Sequence, residues 1–401
     1  MSYRLAYFVS HPIQYQVPLL RLLAAKPNIQ LKVFFYSDFS VKAYHDSGFG
    51  QFIEWDIPLT EGYDYQLLDC WGSKQLTGIL RQAIATDISK QLKLGKFDAI
   101  WVHGWSQICS LQAILAAEAL EIPILMRGES NGLQESFHPV KKLVKNAFLK
   151  WLFQKVSGFI CIRTLNYRFY QHYGISDERL FWIPYAVNNE YFQKTAIQAQ
   201  ANREVLRRSL NLEPGRPIIL YAAKLIDIKR PQDLLAAYCL LSPDSLQEPE
   251  PYLLFVGDGA LRSHLESQAK AINWQSIHFL GFRNQSELPA FYDLCDVFVL
   301  PSSFEPWGLV VNEVMNAAKP VIVSEQVGAA VDLIRDGENG YIFPVGSVKE
   351  LAEHLRQLLS NSENAIQMGE RSLARIQNWS FAEDYTGLMD ALKAVTSDAK
   401  K

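Results

Sequence analysis

Short apolar segments recur along nearly the whole chain, and they constrain the fold more than any other sequence feature. Short continuous apolar runs are typical of strands that are buried on both faces of a parallel sheet. In the first half the runs are 5–9, 31–36, 99–103, 122–126 and 158–162. In the second half they are 217–222, 252–256, 276–280, 297–300, 320–323 and 340–343.

Segments with helical spacing lie between these runs. They are 17–25, 75–92, 111–120, 140–154, 231–241, 260–272, 287–294, 310–318 and 348–359. Alternation of strand and helix predicts doubly wound α/β domains with right-handed crossovers.

The alternation breaks once, and the break predicts the domain organisation. Residues 186–215 are rich in Asn, Gln, Ala and Glu, so we interpret them as an interdomain connection with one polar helix. Residues 1–185 are then a Rossmann-like N-terminal domain, and 216–379 are a second one. Two such domains are expected to face each other across a cleft, with ligands at the carboxyl ends of the strands.

Charge and cysteine content exclude several classes of protein. The chain has 401 residues and a formal net charge of -3, so its overall field does not favour nucleic acid. The cysteines are odd in number and form no CxxC pair, which suggests free thiols in a reducing compartment. No apolar run approaches about 18 residues, and no signal-peptide pattern is present. We expect a cytoplasmic protein, free or at the cytosolic face of a membrane.

Two carboxylates in segment 301–344 carry the strongest chemical signal. Glu305 lies on a turn after a strand, and Glu313 lies eight residues later on a helix that begins near Leu309. Gly308 allows the backbone to approach a ligand, and free amides at a helix start favour phosphate or sugar oxygens. Carboxylates accept hydrogen bonds from the vicinal hydroxyls of a sugar or a ribose. The structural alternative is a solvated loop glutamate plus a helix glutamate that pairs with a lysine.

This segment resembles glycosyltransferase family 4, a group of retaining enzymes with the GT-B fold. Glu305 and Glu313 match the family's two glutamates, and residues 336–340 match its Asp-Gly-x-x-Gly hairpin. The resemblance implies that Glu313 binds ribose hydroxyls and that Glu305 helps to hold the donor sugar. It further implies that the donor sugar and phosphate are held by the backbone of four residues, Trp307, Gly308, Leu309 and Val310. A nucleotide sugar would be the co-substrate, and no cofactor and no metal ion are expected.

Two lysines form a second candidate group. Lys224 and Lys229 are five residues apart on a loop after a buried strand, a spacing that lets both ammonium groups reach one anion. Paired cations stabilise a departing nucleoside diphosphate in the transition state. The pair resembles the family's Arg-x4-Lys element, with Lys224 in place of arginine. The alternative is a solvated basic loop, and Arg230 is a reserve candidate.

Three more donor-site residues follow from the resemblance. Gly257 lies in a Val-Gly-Asp-Gly turn, which equally fits a plain connection between strand and helix. Phe282 and Arg283 flank a segment that resembles the one whose backbone meets the nucleobase in the family.

The first domain offers candidates for the acceptor side of the cleft. His11 and Gln14 follow the first strand, and His103 ends a later one, where the family has a histidine near donor sugar and acceptor. Arg127 and Glu129 end the next strand. Arg127 can meet a phosphate or an anionic acceptor, or it can form a buried ion pair with Glu129 or another carboxylate.

Residues 140–156 predict a basic amphipathic helix in which five lysines are interleaved with large apolar side chains. Such a helix suits an anionic membrane surface. It equally suits docking of the apolar side on the first sheet, with the lysines in solvent. The C-terminal helix, 380–401, resembles the family's closing helix, which packs back on the first domain.

The sequence therefore predicts a retaining glycosyltransferase. It would move a sugar from a nucleoside diphosphate sugar, UDP-sugar before GDP-sugar, to a hydroxyl acceptor in polysaccharide, lipopolysaccharide or glycolipid synthesis. Glu305, His103, Lys224 and Lys229 are the expected catalytic residues. A nucleotide-sugar epimerase of the same layout and a non-catalytic nucleotide-sugar-binding protein are the alternatives.

Overall fold

The structure is a computed structural model that describes residues 2–71, 83–132, 139–241, 250–271 and 274–398. The chain forms two compact units. The first comprises Met1–Tyr44, Ile57–Tyr185 and Phe381–Lys401, and the second comprises His45–Asp56 and Ala186–Ser380. The second unit therefore includes a short segment from the first half of the chain.

The elements of the described residues alternate between strand and helix over most of the chain. The strands are β1 Tyr3–Val9, β2 Ile29–Phe35, β3 Tyr44–Asp46, β4 Gln51–Ile53, β5 Asp64–Leu67, β6 Cys70–Trp71, β7 Ile84–Ala85, β8 Ala99–His103, β9 Ile124–Arg127, β10 Gly158–Cys161, β11 Leu180–Trp182, β12 Ile218–Ala222, β13 Tyr252–Val256, β14 Ile277–Gly281, β15 Val297–Leu300, β16 Val321–Ser324 and β17 Gly340–Phe343. The helices are α1 Val17–Ala24, α2 Ile88–Gly95, α3 Ile108–Ala119, α4 Pro139–Phe153, α5 Thr164–His172, α6 Asn189–Gln200, α7 Arg203–Ser209, α8 Pro231–Cys239, α9 Arg262–Lys270, α10 Leu288–Leu294, α11 Leu309–Met315, α12 Ala330–Leu333, α13 Val348–Leu359, α14 Ser362–Ile376 and α15 Phe381–Asp398.

The first unit is built on a parallel sheet with the strand order β11-β10-β9-β8-β1-β2-β5. Strands β1, β8 and β9 are almost wholly buried, because helices such as α3 cover the sheet. The order reverses direction between β1 and β8, so the loops that follow these two strands diverge at the carboxyl edge. Ligands of open α/β sheets bind at such a switch point.

The second unit repeats this design with the strand order β14-β13-β12-β15-β16-β17. All of its neighbouring strands are parallel, and β12, β13, β15 and β16 are fully buried. Its switch point lies between β12 and β15. The predicted α/β fold with two Rossmann-like domains is confirmed, and the predicted strands shift by no more than a few residues.

The helix predicted over 75–92 is wrong where the chain is described. Ile84 and Ala85 form β7, which pairs antiparallel with β6, and α2 begins only at Ile88. Residues 75–82 of that prediction lie outside the described residues. The helix prediction extended over this short strand because a buried alanine such as Ala85 fits a helical apolar pattern as well as an extended one.

Residues 186–215 contain two helices, α6 and α7, which pack on α10 inside the second unit. Helix α15 packs on β11 and β10 of the first unit. A Cβ on Gly387 would lie 2.0 Å from the carbonyl oxygen of Trp182, so the absence of a side chain permits this close packing. Within the described residues, none of the helices has the length and apolar character needed to cross a bilayer.

Candidate functional site

The loops that follow β12 and β15 bring opposite charges together at the switch point of the second unit. Lys229 ends a one-turn 3-10 helix after β12, and its ammonium group forms an ion pair with the carboxylate of Glu305 after β15. Glu305 is only 7% exposed, and its Oε1 also accepts a hydrogen bond of 3.0 Å from Ser302 Oγ. The two residues were predicted independently, and the crossover topology places them in contact.

The backbone around Glu305 is fixed by bonds to the loop after β16. The Glu305 amide donates to the Gln326 carbonyl at 3.0 Å, and the Gly328 amide donates to the Glu305 carbonyl at 3.1 Å. A Cβ on Gly328 would lie 2.2 Å from the carbonyl oxygen of Pro306, so only glycine allows this approach. The carboxylate is therefore held by a rigid double loop.

The four residues expected to bind through their backbone lie together between β15 and α11. Trp307 is buried, and its Nε1 donates to Asn312 Oδ1 at 2.8 Å. Gly308 has φ +98°, a left-handed conformation that side chains disfavour, and α11 begins at the next residue. Leu309 and Val310 are half-buried in its first turn.

Glu313 lies one turn further along α11. Its Oε2 accepts a hydrogen bond of 2.6 Å from Tyr292 Oη. Burial raises the pKa of Glu313 to about 7, although the bond from Tyr292 acts in the opposite direction. This carboxyl group is therefore poised to change charge near neutral pH, unlike a solvated glutamate.

The two lysines contact separate carboxylates. Lys224 Nζ lies 2.8 Å and 3.0 Å from the two carboxylate oxygens of Asp46, whereas Lys229 pairs with Glu305. Asp46 belongs to the His45–Asp56 segment and was not predicted from sequence. The alternative of a solvated basic loop is excluded for these two side chains, and the reserve candidate Arg230 is engaged by Asp233 at 2.5 Å.

The remaining donor-side candidates lie after β13 and β14. Gly257 has φ +135°, and a Cβ there would lie 2.0 Å from the carbonyl oxygen of Ala223. A glycine is thus required at this position because the loops after β12 and β13 pack closely against each other. Phe282 makes an edge contact with Phe49, with ring centroids 5.0 Å apart, while Arg283 forms an ion pair with Glu287 at 3.2 Å.

In the first unit, the end of β8 carries a buried polar network. His103 Nδ1 lies 3.0 Å from Tyr7 Oη and 3.2 Å from Gln16 Nε2, and His103 Nε2 lies 3.6 Å from Glu129 Oε1. Glu129 also accepts a hydrogen bond from Tyr185. The carboxylate next to Nε2 favours the neutral tautomer with its proton on Nε2, so Nδ1 accepts from its neighbours.

Charge in this network is concentrated on the carboxylate. Burial lowers the pKa of His103, although the hydrogen bond and charge of Glu129 raise it. Burial opposes ionisation of Glu129, but its bonds to His103 and Tyr185 hold its pKa at about 2. A neutral imidazole beside an ionised glutamate can orient a hydroxyl group and exchange hydrogen bonds with it.

Arg127 is brought to the same edge by the pairing of β8 with β9, in which it stands opposite His103. Its guanidinium lies over the ring of Tyr185, with 4.2 Å from Cζ to the centroid. Arg127 is 2% exposed, and its Nε has no hydrogen-bond partner within the described part of the chain. No ion pair with Glu129 is found among the described residues; the cation is held by stacking on Tyr185 and by hydrogen bonds of 3.5 Å from its Nη2 to the carbonyls of Ile183 and Pro184.

His11 and Gln14 are peripheral to this network. His11 Nδ1 lies 2.8 Å from Ser10 Oγ, and burial together with the charge of His103 lowers the pKa of His11 to about 4. Gln14 is half-buried in the turn before α1. Gln16 enters the network instead, and its signal in the sequence is only a polar residue in an otherwise apolar helix start.

Comparisons with known proteins give a family match inside the second unit. Residues 202–375 match the family model described as glycosyl transferases group 1. The chain is similar to spore coat protein SA of Bacillus subtilis, with 31% identity over 45% of this chain and 49% of that protein. It is also similar to the sulfoquinovosyl transferase SQD2 of Arabidopsis thaliana, with 32% identity over 40% of this chain and 30% of that protein. The chain thus spans half or less of the length of these relatives.

A solved structure extends the likeness to the whole fold. Anabaena Alr3699/HepE in complex with UDP superposes with a TM-score of 0.73, covering 98% of this chain and 100% of that one at 16% identity. At this identity the likeness concerns the fold, which is of the GT-B type. A match to the glycosyl transferases group 1 model over residues 202–375 thus stands beside a GT-B fold that covers 98% of the chain.

Proposed function

We propose that the protein is a retaining glycosyltransferase of family 4 that uses a nucleoside diphosphate sugar, with UDP-sugar as the favoured donor. The observation that carries the proposal is the ion pair of Lys229 with the buried Glu305 at the switch point. Lys224 lies on the same loop as Lys229, and Glu313 lies on α11, the helix that follows Glu305. Cations for a diphosphate and carboxylates for sugar and ribose hydroxyls are thereby gathered at one edge of one sheet.

The donor-side roles follow from charge. Lys224 and Lys229 would stabilise the negative charge that develops on the departing diphosphate, assisted by amides of residues 307–310. Glu313 would accept hydrogen bonds from the ribose hydroxyls. Glu305 would hold the donor sugar, since Lys229 and Ser302 fix the position of its carboxylate.

Retention is proposed to proceed without a covalent glycosyl-enzyme. A hydroxyl oxygen of the acceptor attacks the anomeric carbon from the face that the diphosphate leaves, and the bond from that carbon to the diphosphate oxygen breaks. The electron pair goes to the diphosphate, whose oxygen takes the hydroxyl proton. Glu305 is already committed to Lys229 and Ser302, which argues for a positioning role over that of a nucleophile.

The acceptor is assigned to the first unit. Neutral His103 and ionised Glu129 would orient its hydroxyl group, and the guanidinium of Arg127 would meet an electron-rich oxygen nearby. We propose a sugar or lipid-linked acceptor, in the synthesis of polysaccharide, lipopolysaccharide or glycolipid.

Helix α4 is proposed to make a peripheral contact with a membrane surface. Val140, Leu143 and Val144 are 61%, 70% and 64% exposed, and Trp151 continues this exposed stripe along the helix. The buried side of α4 is formed by other residues, among them Leu149 and Leu152. The helix carries lysines and no acidic residue, so an anionic lipid surface complements both its charge and its apolar stripe.

The test is a binding and product assay on the full chain. UDP-, GDP- and ADP-sugars are titrated by calorimetry, and the product formed with a hydroxyl acceptor is analysed by NMR for its anomeric configuration. We expect UDP-sugar to bind most tightly and the donor configuration to persist. Inversion at the anomeric carbon would overturn the retaining assignment, and sugar conversion without diphosphate release would indicate an epimerase instead.

A further inference from the structure

The His45–Asp56 segment is seated on the second unit although it lies in the first half of the chain. Asn284 Nδ2 donates to the carbonyl of Glu54 at 2.7 Å, and the Ser286 amide donates to Asp56 Oδ2 at 3.1 Å. These bonds fasten the end of the segment to the loop that follows β14, beside Phe282. The segment therefore belongs to the edge of the sheet that carries the proposed donor site.

The other end of the segment engages Lys224. Both carboxylate oxygens of Asp46 contact its ammonium group, and Asp46 Oδ1 also accepts from the amides of Gly48 and Phe49 at 2.8 Å and 3.0 Å. Burial opposes ionisation of Asp46, but the bond from Lys224 and the two amides lower its pKa below the usual value. The carboxylate is thus a preorganised anion on the same cation that the donor diphosphate would use.

Aromatic and backbone contacts also pack the His45–Asp56 segment against Lys224. Lys224 Nζ lies 4.6 Å from the ring centroid of Phe49, which in turn contacts Phe282. A Cβ on Gly48 would lie 2.7 Å from Lys224 Cδ, and a Cβ on Gly259 would lie 3.0 Å from the carbonyl oxygen of Gly48. The segment therefore lies in close contact with the side chain of Lys224 and with the loop that contains Gly259.

We propose that Asp46 competes with the donor diphosphate for Lys224, so that donor binding displaces the carboxylate and Asp46 sets the affinity and exchange of the nucleotide. The inference rests on the proposed function. A diphosphate and a carboxylate on one ammonium group repel each other, and the group with more charge and more acceptor oxygens prevails. With the site empty, Asp46 neutralises Lys224 and orders its side chain.

Calorimetric titration of UDP into the full chain tests the proposal. Asp46→Asn is expected to lower the Kd for UDP by about three- to tenfold, because the competitor is neutralised while its shape is kept. Asp56→Asn is the matched control. It removes one negative charge from the same segment but faces Ser286, so the Kd should stay within about twofold of wild type.

Two further variants make the result decisive. Asp46→Ala should reproduce the tighter binding if Asp46→Asn folds poorly, and Asp46→Asn should have no effect in a Lys224→Ala background. An unchanged or higher Kd for both Asp46 variants would overturn the proposal and make Asp46 a positioning residue for Lys224. If neither wild type nor these variants bind UDP, GDP or ADP, the proposed function itself fails, which is a separate result.

Discussion

Glu313 shows at the scale of one residue how its surroundings tune a carboxyl group. Its pKa of about 7 comes from burial on α11, against which the single hydrogen bond from Tyr292 acts. Because the folded pKa lies above the ordinary value of about 4.5, the neutral form favours the fold. Its contribution to stability is present below pH 4.5 and is lost as pH rises through 7.

The same pKa predicts a pH dependence of nucleotide binding. Ribose hydroxyls donate to an ionised carboxylate, so UDP should bind more tightly as pH rises from 6 to 8, and binding at pH 7 should release a proton. Calorimetry in buffers of different ionisation enthalpy measures both. Glu313→Gln should weaken binding and flatten the profile, and Tyr292→Phe should move the midpoint to higher pH. A profile that is unchanged in Glu313→Gln would exclude the ribose role.

The negative charge of Glu305 is expected to matter more for turnover than for nucleotide affinity. Glu305→Gln keeps the hydrogen bond to Ser302 but removes the charge that faces Lys229, so turnover should fall by about 100-fold or more. The Kd for UDP should change by less than about threefold, since Lys229 remains free to meet the diphosphate. Glu287→Gln, which removes an exposed carboxylate paired with Arg283, is the control and should leave turnover intact. Equal losses of turnover and affinity would contradict the assignment of Glu305 to the sugar.

At the scale of elements, close contacts between loops explain several glycines at the edge of the second sheet. Gly257 combines φ +135° with a Cβ position 2.0 Å from a backbone oxygen, whereas Gly337 has φ +73° and open space around it. Gly257→Ala should therefore destabilise by about 2–4 kcal/mol and Gly337→Ala by about 1–2 kcal/mol. Thermal unfolding of both variants measures the difference. Equal melting temperatures would show that the β12 and β13 loops can separate without cost.

Strands were predictable in this chain where burial is complete. β12 and β13 are buried at every position, and their apolar runs are unbroken. β5 was missed because its sequence, Asp-Tyr-Gln-Leu, is mostly exposed at the edge of the first sheet. β11 was missed for a similar reason, since only Leu180 of its residues is fully buried. An edge strand is held by backbone bonds, which leave no side-chain pattern.

At the scale of the whole molecule, strand order predicts the proximity of some candidate site residues and gives no indication of others. Lys229 and Glu305 follow strands on either side of a switch point, so their proximity could be predicted from strand order. The contact of Asp46 with Lys224 could not be predicted, because the two residues are 178 positions apart and the segment around Asp46 has no helical or strand periodicity. His103 was predicted as a site residue, whereas its partners Tyr7 and Gln16 were concealed among core-forming residues.

The exposed stripe of α4 yields a prediction for the molecule as a whole. Binding to vesicles that contain anionic phospholipid should fall at least several-fold in Leu143→Asp, because an apolar contact is lost and a negative charge is added. Leu94→Asp is the control, since Leu94 is 68% exposed on α2 of the same unit. Co-sedimentation measures both variants against wild type. Equal binding of all three would remove α4 from the membrane proposal.

The packing of His45–Asp56 in the second unit also has a consequence for folding during translation. The hydrogen bond from Asn284 to Glu54 joins residues 230 positions apart. At about 5–20 residues per second, translation delivers Asn284 roughly 10 to 45 s after Glu54. The segment must therefore wait through the synthesis of more than half of the chain before its partner exists. The edge of the second sheet that carries the proposed donor site is therefore completed only after synthesis has passed Asn284.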